Sequence, residues 1–369
     1  MSFANCFARY LAVSVCLLLA PLPIAVGKDI EQLNATDMVT TLVTTVIRPG
    51  FADLERSAAT MSQQLKTYCE TPTKAGYSDV HEAFDGLVAR WGRVEFIRLG
   101  PLSADNRLER MLFWPDRRGR GLKQVRDIIR AADTTVLEPE LLVQKSVAVQ
   151  GLLALEYTLF SDDAEIELVA TDSHRCAYAM AVASAVAQLA GELNNLWQAE
   201  GDTSIAQIWL NPSPTNALFR DEAEQFSAVL GILEDGFEIV SHQRLDPVLR
   251  DDMASARPKS ALFWRSENSI PSLKANLEGF EAVIKTGQLE ELVAGDDRRI
   301  ISSLSFELGN AKRALSNLDM PLQTVLSEEE TYDRLTYAGL VVDSMLTITR
   351  DMIKPIFGLS AGFSSLDGD

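Results

Sequence analysis

The sequence predicts an all-α protein made of two tandem helical bundles of the four-helix type, packed side by side. Apolar residues recur at spacings of three and four along most of the chain, which places them on one face of a helix. Alternating apolar and polar runs hardly occur, and neither do Asn-Gly or Asp-Gly turns, so strands are not expected. The chain has 369 residues, more than one hydrophobic core usually serves.

The first 27 residues have the pattern of a secretory signal peptide. A single basic residue, Arg9, is followed by an apolar run from Tyr10 to Val26 that two prolines interrupt. The run is short for a membrane span, whereas a basic start and an apolar middle are typical of a cleavable signal. A permanent anchor is the alternative interpretation. We expect an exported chain with no permanent membrane span after cleavage.

Residues 28–205 are predicted to form the N-terminal bundle. Proline and glycine mark the expected helix ends, and an irregular segment is expected at 101–121. The segment ending at Phe160 is apolar nearly all round, as in a helix enclosed on most sides. The predicted helices are Ile30–Ile47, Phe51–Cys69, Val80–Arg98, Leu122–Ala132, Gln144–Phe160 and Ala164–Glu200.

Residues 206–369 are predicted to form the C-terminal bundle. Gly201–Thr215 contains two prolines and is the best candidate for the linker. No repeat of 20–50 residues is evident, so a solenoid is not expected. The predicted helices are Asn216–Leu245, Glu267–Thr286, Arg298–Leu315 and Glu328–Ile353.

The composition limits the classes of function and of site. The chain has 34 basic and 52 acidic residues and a formal net charge of −18, so phosphate backbones should repel it and nucleic acid is not an expected partner. Three histidines and four cysteines are too few for zinc fingers or multi-disulfide scaffolds. After removal of the signal, Cys69 and Cys176 remain. They form either a disulfide between two helices or two separate buried thiols.

Positive charge is concentrated between Arg90 and Arg130. This stretch contains eleven basic and five acidic residues. Arginine presents paired donors to carboxylate or phosphate groups, so the stretch predicts a site for an anionic ligand. The alternative is that these arginines form ion pairs with acidic residues of the same protein.

Glu156 lies inside the apolar segment 151–160. A carboxylate in such surroundings is desolvated unless a partner compensates. We expect an arginine from residues 90–110 to meet it in a cleft between the bundles. Buried pairs of this kind serve architecture in some proteins and function in others, and both interpretations remain open.

The segment Arg257–Ser266 is a third candidate, because it precedes a predicted helix. Ser266 is suited to cap that helix, whereas Trp264 and Arg265 are suited to line a cleft. Common catalytic motifs are absent: the sequence has no His-Glu-x-x-His, no Gly-x-Ser-x-Gly, no phosphate loop and no dinucleotide fingerprint.

Several segments together resemble the imelysin-like proteins of the bacterial periplasm. The resemblance implies an all-α fold of two related bundles with a cleft between them. It also implies a periplasmic, cell-envelope location and a role often linked to iron uptake. The segments are Trp91–Pro101, Asn106–Arg110, Phe113–Arg117, Gly151–Glu156, Phe263–Ser266 and the ending Gly362–Asp369.

The family carries a Gly-x-His-x-x-Glu signature for which metallopeptidase activity has been proposed. Here Gly151–Glu156 matches it, with Leu153 in place of histidine. Residues i and i+3 share a helix face, so a histidine and Glu156 could hold a metal together, but leucine supplies no lone pair. The sequence requires no cofactor. The resemblance implies iron or another divalent metal, with Glu156 as its one candidate ligand.

We therefore predict a non-catalytic binding or accessory protein of the periplasm. Its expected partner is a small ligand or a metal in the cleft between the bundles, and an envelope protein is a further candidate partner. Two alternatives remain, a metal-dependent peptidase of the imelysin type and a structural partner of an envelope complex. The predicted ligand-binding residues are Arg98, Asn106, Arg107, Glu156, Trp264, Arg265 and Ser266.

Overall fold

The computed structural model describes residues 35–170, 173–293 and 295–359. All regular structure in these ranges is helical, without a single strand, which confirms the all-α prediction. The predicted signal peptide, residues 1–27, and the ending Gly362–Asp369 lie outside the described residues.

The first half of the chain, residues 35–210, contributes ten helices to the described structure. Helix α2 packs along α3 and α9, and α7 packs on α9. We call α2, α3, α7 and α9 the first bundle. The helices are α1 (Ala35–Leu42), α2 (Arg48–Glu70), α3 (Lys74–Gly92), α4 (Arg107–Met111), α5 (Arg120–Ala131), α6 (Pro139–Leu142), α7 (Gly151–Phe160), α8 (Ala164–Leu168), α9 (His174–Gln198) and α10 (Ile205–Leu210).

The second half, residues 211–359, forms a similar group. Helix α14 packs on α16 and α13, and α11 packs on α16 and α13. We call α11, α13, α14 and α16 the second bundle. The helices of this half are α11 (Glu222–Glu238), α12 (Asp246–Leu249), α13 (Ser269–Thr286), α14 (Asp296–Leu315), α15 (Leu322–Val325), α16 (Glu329–Thr347) and α17 (Lys354–Ile356).

The predicted helix end before Pro49 is wrong. A π-helical turn at Val43–Ile47 joins α1 to α2 without a break. Pro49 is the second residue of α2, two positions after this turn, so the helix continues through a proline. Because the helix continues, α1 extends past the first bundle and packs against α10, α11 and α13. The sequence assigned these residues to the N-terminal bundle.

Two other helices begin later than predicted. The helix expected over Ala164–Glu200 is divided into α8 and α9, and α9 begins after Ser173, whose side chain accepts a hydrogen bond from the backbone N–H of Cys176. The helix expected over Gln144–Phe160 begins only at Gly151, after a short 3₁₀ turn. Local capping and turn geometry, not the apolar pattern, set both starts.

One hydrophobic core runs through both halves. Its central element is α9, which is the only helix of the described part long and apolar enough to cross a membrane. Most of α9 is buried inside the fold, with 61% of its apolar window enclosed. This is the environment of a core helix of a globular protein.

A disulfide joins Cys69, at the end of α2, to Cys176, in the first turn of α9. The two Cα atoms are 5.9 Å apart, and 107 positions separate the residues in sequence. The structure therefore contains the first of the two alternatives left open by the sequence. The bond ties the start of the core helix to its main packing neighbour.

The two bundles meet where α3 lies against α13. The backbones approach closely at Gly92, where an added Cβ would lie 2.9 Å from the Cβ of Ala275. This close approach brings residues just after α3 within reach of the second bundle.

Candidate functional site

A cavity of about 600 Å³ lies between the two halves of the chain. The first half contributes residues from 113–125 and from α7, and the second half contributes residues from 242–250 and 259–265. Because both halves supply its walls, the cavity corresponds to the cleft that the sequence predicts between them.

Glu156 lies in this wall with only 1% of its surface exposed. Its Oε1 atom accepts three hydrogen bonds, each 3.0 Å long, from the backbone N–H of Arg265, the backbone N–H of Ser266 and the hydroxyl of Ser266. Its Oε2 atom accepts none from the residues that the structure describes. Burial raises the pKa of Glu156, although the bonds from Ser266 and the Arg265 guanidinium act to lower it.

An unusual backbone path presents these donors to Glu156. Phe263 and Glu267 both have positive φ angles, 57° and 60°, which are costly for residues other than glycine. Phe263 is fully buried, and its ring meets that of Phe84 edge to face at 6.2 Å. The packed ring and the bonds to Glu156 together hold the loop in this conformation.

Gly151 sets the position of the helix that carries Glu156. Its φ angle is +73°, and a Cβ there would lie 2.4 Å from the carbonyl oxygen of Arg110 and 2.5 Å from that of Met111. No other residue fits this contact without displacing the backbone. The glycine therefore lets α7 start directly against residues 110–111, which fixes Glu156 one and a half turns further on.

The expectation that an arginine from residues 90–110 meets Glu156 is wrong. Arg107 binds Glu192, with 2.8 Å between Nε and Oε1, and it also donates to the carbonyl oxygen of Pro101. Burial lowers the pKa of Arg98, and the nearby acid that most opposes this shift is Glu95. The guanidinium near Glu156 belongs to Arg265 instead.

The remaining predicted residues are divided between the cavity and the surface. Asn106 is exposed and has left-handed backbone, with a φ angle of 55°, just before α4. Trp264 and Arg265 line the cavity as expected. Ser266 does not cap a helix, because α13 begins at Ser269 without any side-chain cap. The Ser266 hydroxyl binds Glu156.

Cations and aromatic rings alternate in a row that begins on the segment 259–265 and continues onto α7 and α9. The Arg265 guanidinium carbon lies 4.4 Å from the ring centre of Trp264 and 5.3 Å from that of Tyr157. Lys259 Nζ lies 5.3 Å from the Trp264 ring, and the Arg175 guanidinium carbon lies 5.9 Å from the Tyr157 ring. We call these five residues the cation–aromatic row. Trp264 and Arg265 also line a second cavity, of about 1230 Å³.

Four cations of the cavity wall form no ion pair with the residues that the structure describes. They are Arg117, Arg250, Lys259 and Arg265. Of the carboxylates in the wall, Glu156 is bonded to the loop, and Asp116 accepts hydrogen bonds from three backbone N–H groups at the start of α5. Asp246 is the third.

The sequence did not single out Arg117, Arg250 or Lys259 as site residues. Arg250 and Lys259 reach the cavity only through the packing of α12 and of the 257–266 segment.

A family model described as imelysin, peptidase M75, matches residues 47–344. The chain belongs to the imelysin family. This confirms the resemblance inferred from the sequence. No curated protein matches the chain.

Two solved structures share the imelysin fold with this chain. An imelysin-like protein from Psychrobacter arcticum has a TM-score of 0.73 and 18% sequence identity, covering 91% of this chain and 98% of its own. A Parabacteroides distasonis protein, provisionally named an iron-regulated protein A precursor, has a TM-score of 0.72 and 16% identity, covering 90% of this chain and 97% of its own. At these identities the likeness establishes the fold alone.

The residues of this imelysin do not fit a metal centre at the family signature. Leu153 lines the same cavity as Glu156 but has no atom that binds a metal. One oxygen of Glu156 is already bonded to Arg265 and Ser266. Within the described ranges, no three side chains of His, Cys, Asp or Glu come together in a group that could hold a metal ion.

Proposed function

We propose that this imelysin is a non-catalytic binding protein that takes a small carboxylate-bearing anion in the cavity between its halves. The observation that carries the proposal is the convergence of four cations without ion-pair partners on one cavity. We further propose that the chain acts in the cell envelope after export, as its N-terminal sequence and the precursor name of one structural neighbour suggest.

A shortage of acidic residues does not explain the unpaired cations. The chain has 52 acidic residues against 34 basic ones, and several of its other arginines form ion pairs, such as Arg93 with Glu278. Where several cations lack ion-pair partners in so acidic a chain, binding of an anionic ligand is electrostatically favourable. Carboxylates suit guanidinium groups because both can form two parallel hydrogen bonds.

The arrangement of Glu156 favours binding over catalysis. Its Oε1 atom anchors the loop that carries Trp264 and Arg265, so Glu156 positions two residues of the cavity wall. The peptidase alternative has less support, because it requires a histidine where Leu153 stands. His242, which also lines the cavity, is engaged with Asp343, with 3.2 Å between Nε2 and Oδ1.

Calorimetric titration of the mature chain with citrate, ferric citrate and benzoate tests the proposal. We expect at least one of these anions to bind saturably at one per chain. Arg117→Gln should weaken that binding about tenfold, equivalent to roughly 1.4 kcal/mol. The matched control is Arg118→Gln, because Arg118 is an exposed neighbour outside the cavity wall. Absence of saturation with all three anions, or equal weakening by both variants, would contradict the proposal.

The ferric citrate arm also tests a link to iron. One structural neighbour carries an iron-regulated name, and an anionic iron chelate is a ligand that the cationic wall could accept. Binding of ferric citrate at least tenfold tighter than binding of citrate would support this link. Equal affinities would remove iron from the proposal while leaving anion binding intact.

A further inference from the structure

We infer that the ligand of this cavity is an aromatic carboxylate, whose flat ring packs beside the cation–aromatic row while its carboxylate meets the unpaired cations. This inference rests on the proposed anion-binding function and names the chemical class of the ligand. It is carried by two features of the wall: its apolar part and the three members of the cation–aromatic row that line the cavity, Lys259, Trp264 and Arg265.

The apolar part of the wall would receive the body of the ligand. Phe113, Trp114, Leu122, Val125 and Leu153 all line the cavity. A fully polar anion would leave this surface without a partner, whereas an apolar ring would bury it. A volume of about 600 Å³ lies in the usual range for sites that enclose a compact organic ligand.

Leu153 makes the part of the wall beside Glu156 apolar. In the family signature a histidine occupies its place, one helical turn before Glu156. With leucine there, the wall beside Glu156 is apolar and cannot donate or accept a hydrogen bond. The replacement that removes a metal ligand therefore also adds a surface suited to a hydrocarbon ring.

The cation–aromatic row would select a flat ring over a saturated body. Trp264 and Arg265 are both half-buried and both line the cavity. Part of each side chain therefore remains accessible to a ligand. A cation near the face of a ring is attracted to its electrons, and two rings gain further energy when they stack with an offset or meet edge to face. A saturated ring system gains neither contribution.

Glu156 holds the part of this row formed by Trp264 and Arg265 in place before any ligand arrives. Its bonds to the backbone of Arg265 and Ser266 fix the loop, so the side chains of Trp264 and Arg265 start from a defined position. Such preorganisation lowers the entropy that binding would otherwise cost.

Two ligands with the same carbon skeleton and charge test the inference. 2-Naphthoate is flat and aromatic, whereas decahydro-2-naphthoate is saturated and has more apolar surface. Calorimetric titration of the mature chain should show 2-naphthoate binding at least tenfold tighter. Since the saturated ligand has the larger hydrophobic gain, a preference for naphthoate cannot come from apolar burial alone.

Two variants identify the source of the preference. Trp264→Leu should weaken naphthoate binding at least fivefold more than decahydronaphthoate binding. Arg265→Lys keeps the charge and the backbone bond to Glu156 but loses the planar guanidinium, and it should reduce the preference about threefold. Tyr337→Leu is the control, because Tyr337 is an exposed aromatic residue of α16 outside the cavity wall.

The outcomes separate this inference from the proposed function. Binding of neither ligand would overturn this inference, and the titrations with citrate, ferric citrate and benzoate would then decide the proposed function separately. Equal binding of the two ligands, weakened by Arg117→Gln, would overturn the aromatic selection and leave anion binding supported. A preference for naphthoate that persists in both Trp264→Leu and Arg265→Lys would overturn the role of the cation–aromatic row.

Discussion

Glu156 combines burial with an unusually complete set of donors to one of its oxygens. Two backbone N–H groups and one hydroxyl reach Oε1, yet burial outweighs them and the pKa of Glu156 is raised. A raised carboxyl pKa means that the folded protein holds the proton more tightly than the unfolded chain. The stability that this proton contributes is present below the ordinary pKa and is lost as the pH rises through the raised one.

Glu156→Gln should therefore become relatively more stable as the pH rises. The amide oxygen of glutamine can accept the same three hydrogen bonds, but glutamine does not titrate. The difference in free energy of unfolding, variant minus wild type, should increase from about pH 5 to about pH 8. Urea unfolding at several pH values in this window measures it.

Glu200→Gln is the control for this measurement, because Glu200 is an exposed residue after α9. Its difference from wild type should stay flat over the same window. A flat difference for Glu156→Gln as well would show that the pKa of Glu156 is not raised in the folded protein.

At the scale of helices, the apolar pattern predicts that a helix forms more accurately than it predicts the residues at which the helix begins and ends. The expected helices at Glu267–Thr286 and Arg298–Leu315 differ from α13 and α14 by only two residues at one end. The prediction fails at Pro49, because the chain stays helical through a π-helical turn and the proline that follows it. Such turns depend on packing against neighbours and leave no local signature in the sequence.

The disulfide between α2 and α9 should contribute strongly to stability. It closes a loop with a sequence separation of 107, and in the chain-entropy model a loop of this length stabilises the folded state by about 5 kcal/mol. Cys69→Ser/Cys176→Ser should therefore lower the free energy of unfolding by about that amount. Urea unfolding without reductant measures the difference.

Reductant provides the control for the disulfide experiment. Wild type unfolded in reductant should approach the stability of Cys69→Ser/Cys176→Ser, and the stability of the variant should not respond to reductant. If the variant is as stable as oxidised wild type, the bond does not restrict the unfolded chain as this model requires.

At the scale of the molecule, the sequence predicted the buried carboxylate and named Trp264, Arg265 and Ser266 for the same site, but it did not predict that Arg265 and Ser266 bind Glu156. The apolar surroundings of Glu156 are local, so they can be read from the chain. Arg265 and Ser266 follow Glu156 by about 110 positions, and only the packing of the second half against the first brings them to it. Arg107 was a reasonable expectation from charge alone, but α4 directs it to Glu192 on α9.

A buried polar network also ties the two bundles together at their contact. Glu95 follows α3, Arg244 lies in the π-helical turn after α11, and Asn276 is on α13. Arg244 Nη2 lies 2.6 Å from Glu95 Oε1, and both side chains are only 3% exposed. Asn276 donates to Glu95 and accepts from Arg244. The three groups contact one another away from water, and Arg244 Nε is left without a hydrogen-bond partner among the described residues.

Breaking this network from one side should cost more than replacing both charges. Arg244→Met leaves Glu95 buried without its cation, which should lower the free energy of unfolding by about 3–5 kcal/mol. In Glu95→Gln/Arg244→Met the orphaned charge is gone, so the loss should be at least about 2 kcal/mol smaller than the sum of the two single losses. Urea unfolding of wild type, the two single variants and the double variant measures this coupling.

Asp296 and Arg299 on α14 are the control, because they form an exposed ion pair. Their pair should show no measurable coupling, since water screens the two charges from each other. Equally small coupling at Glu95 and Arg244 would mean that apolar packing alone holds the two bundles together at this contact.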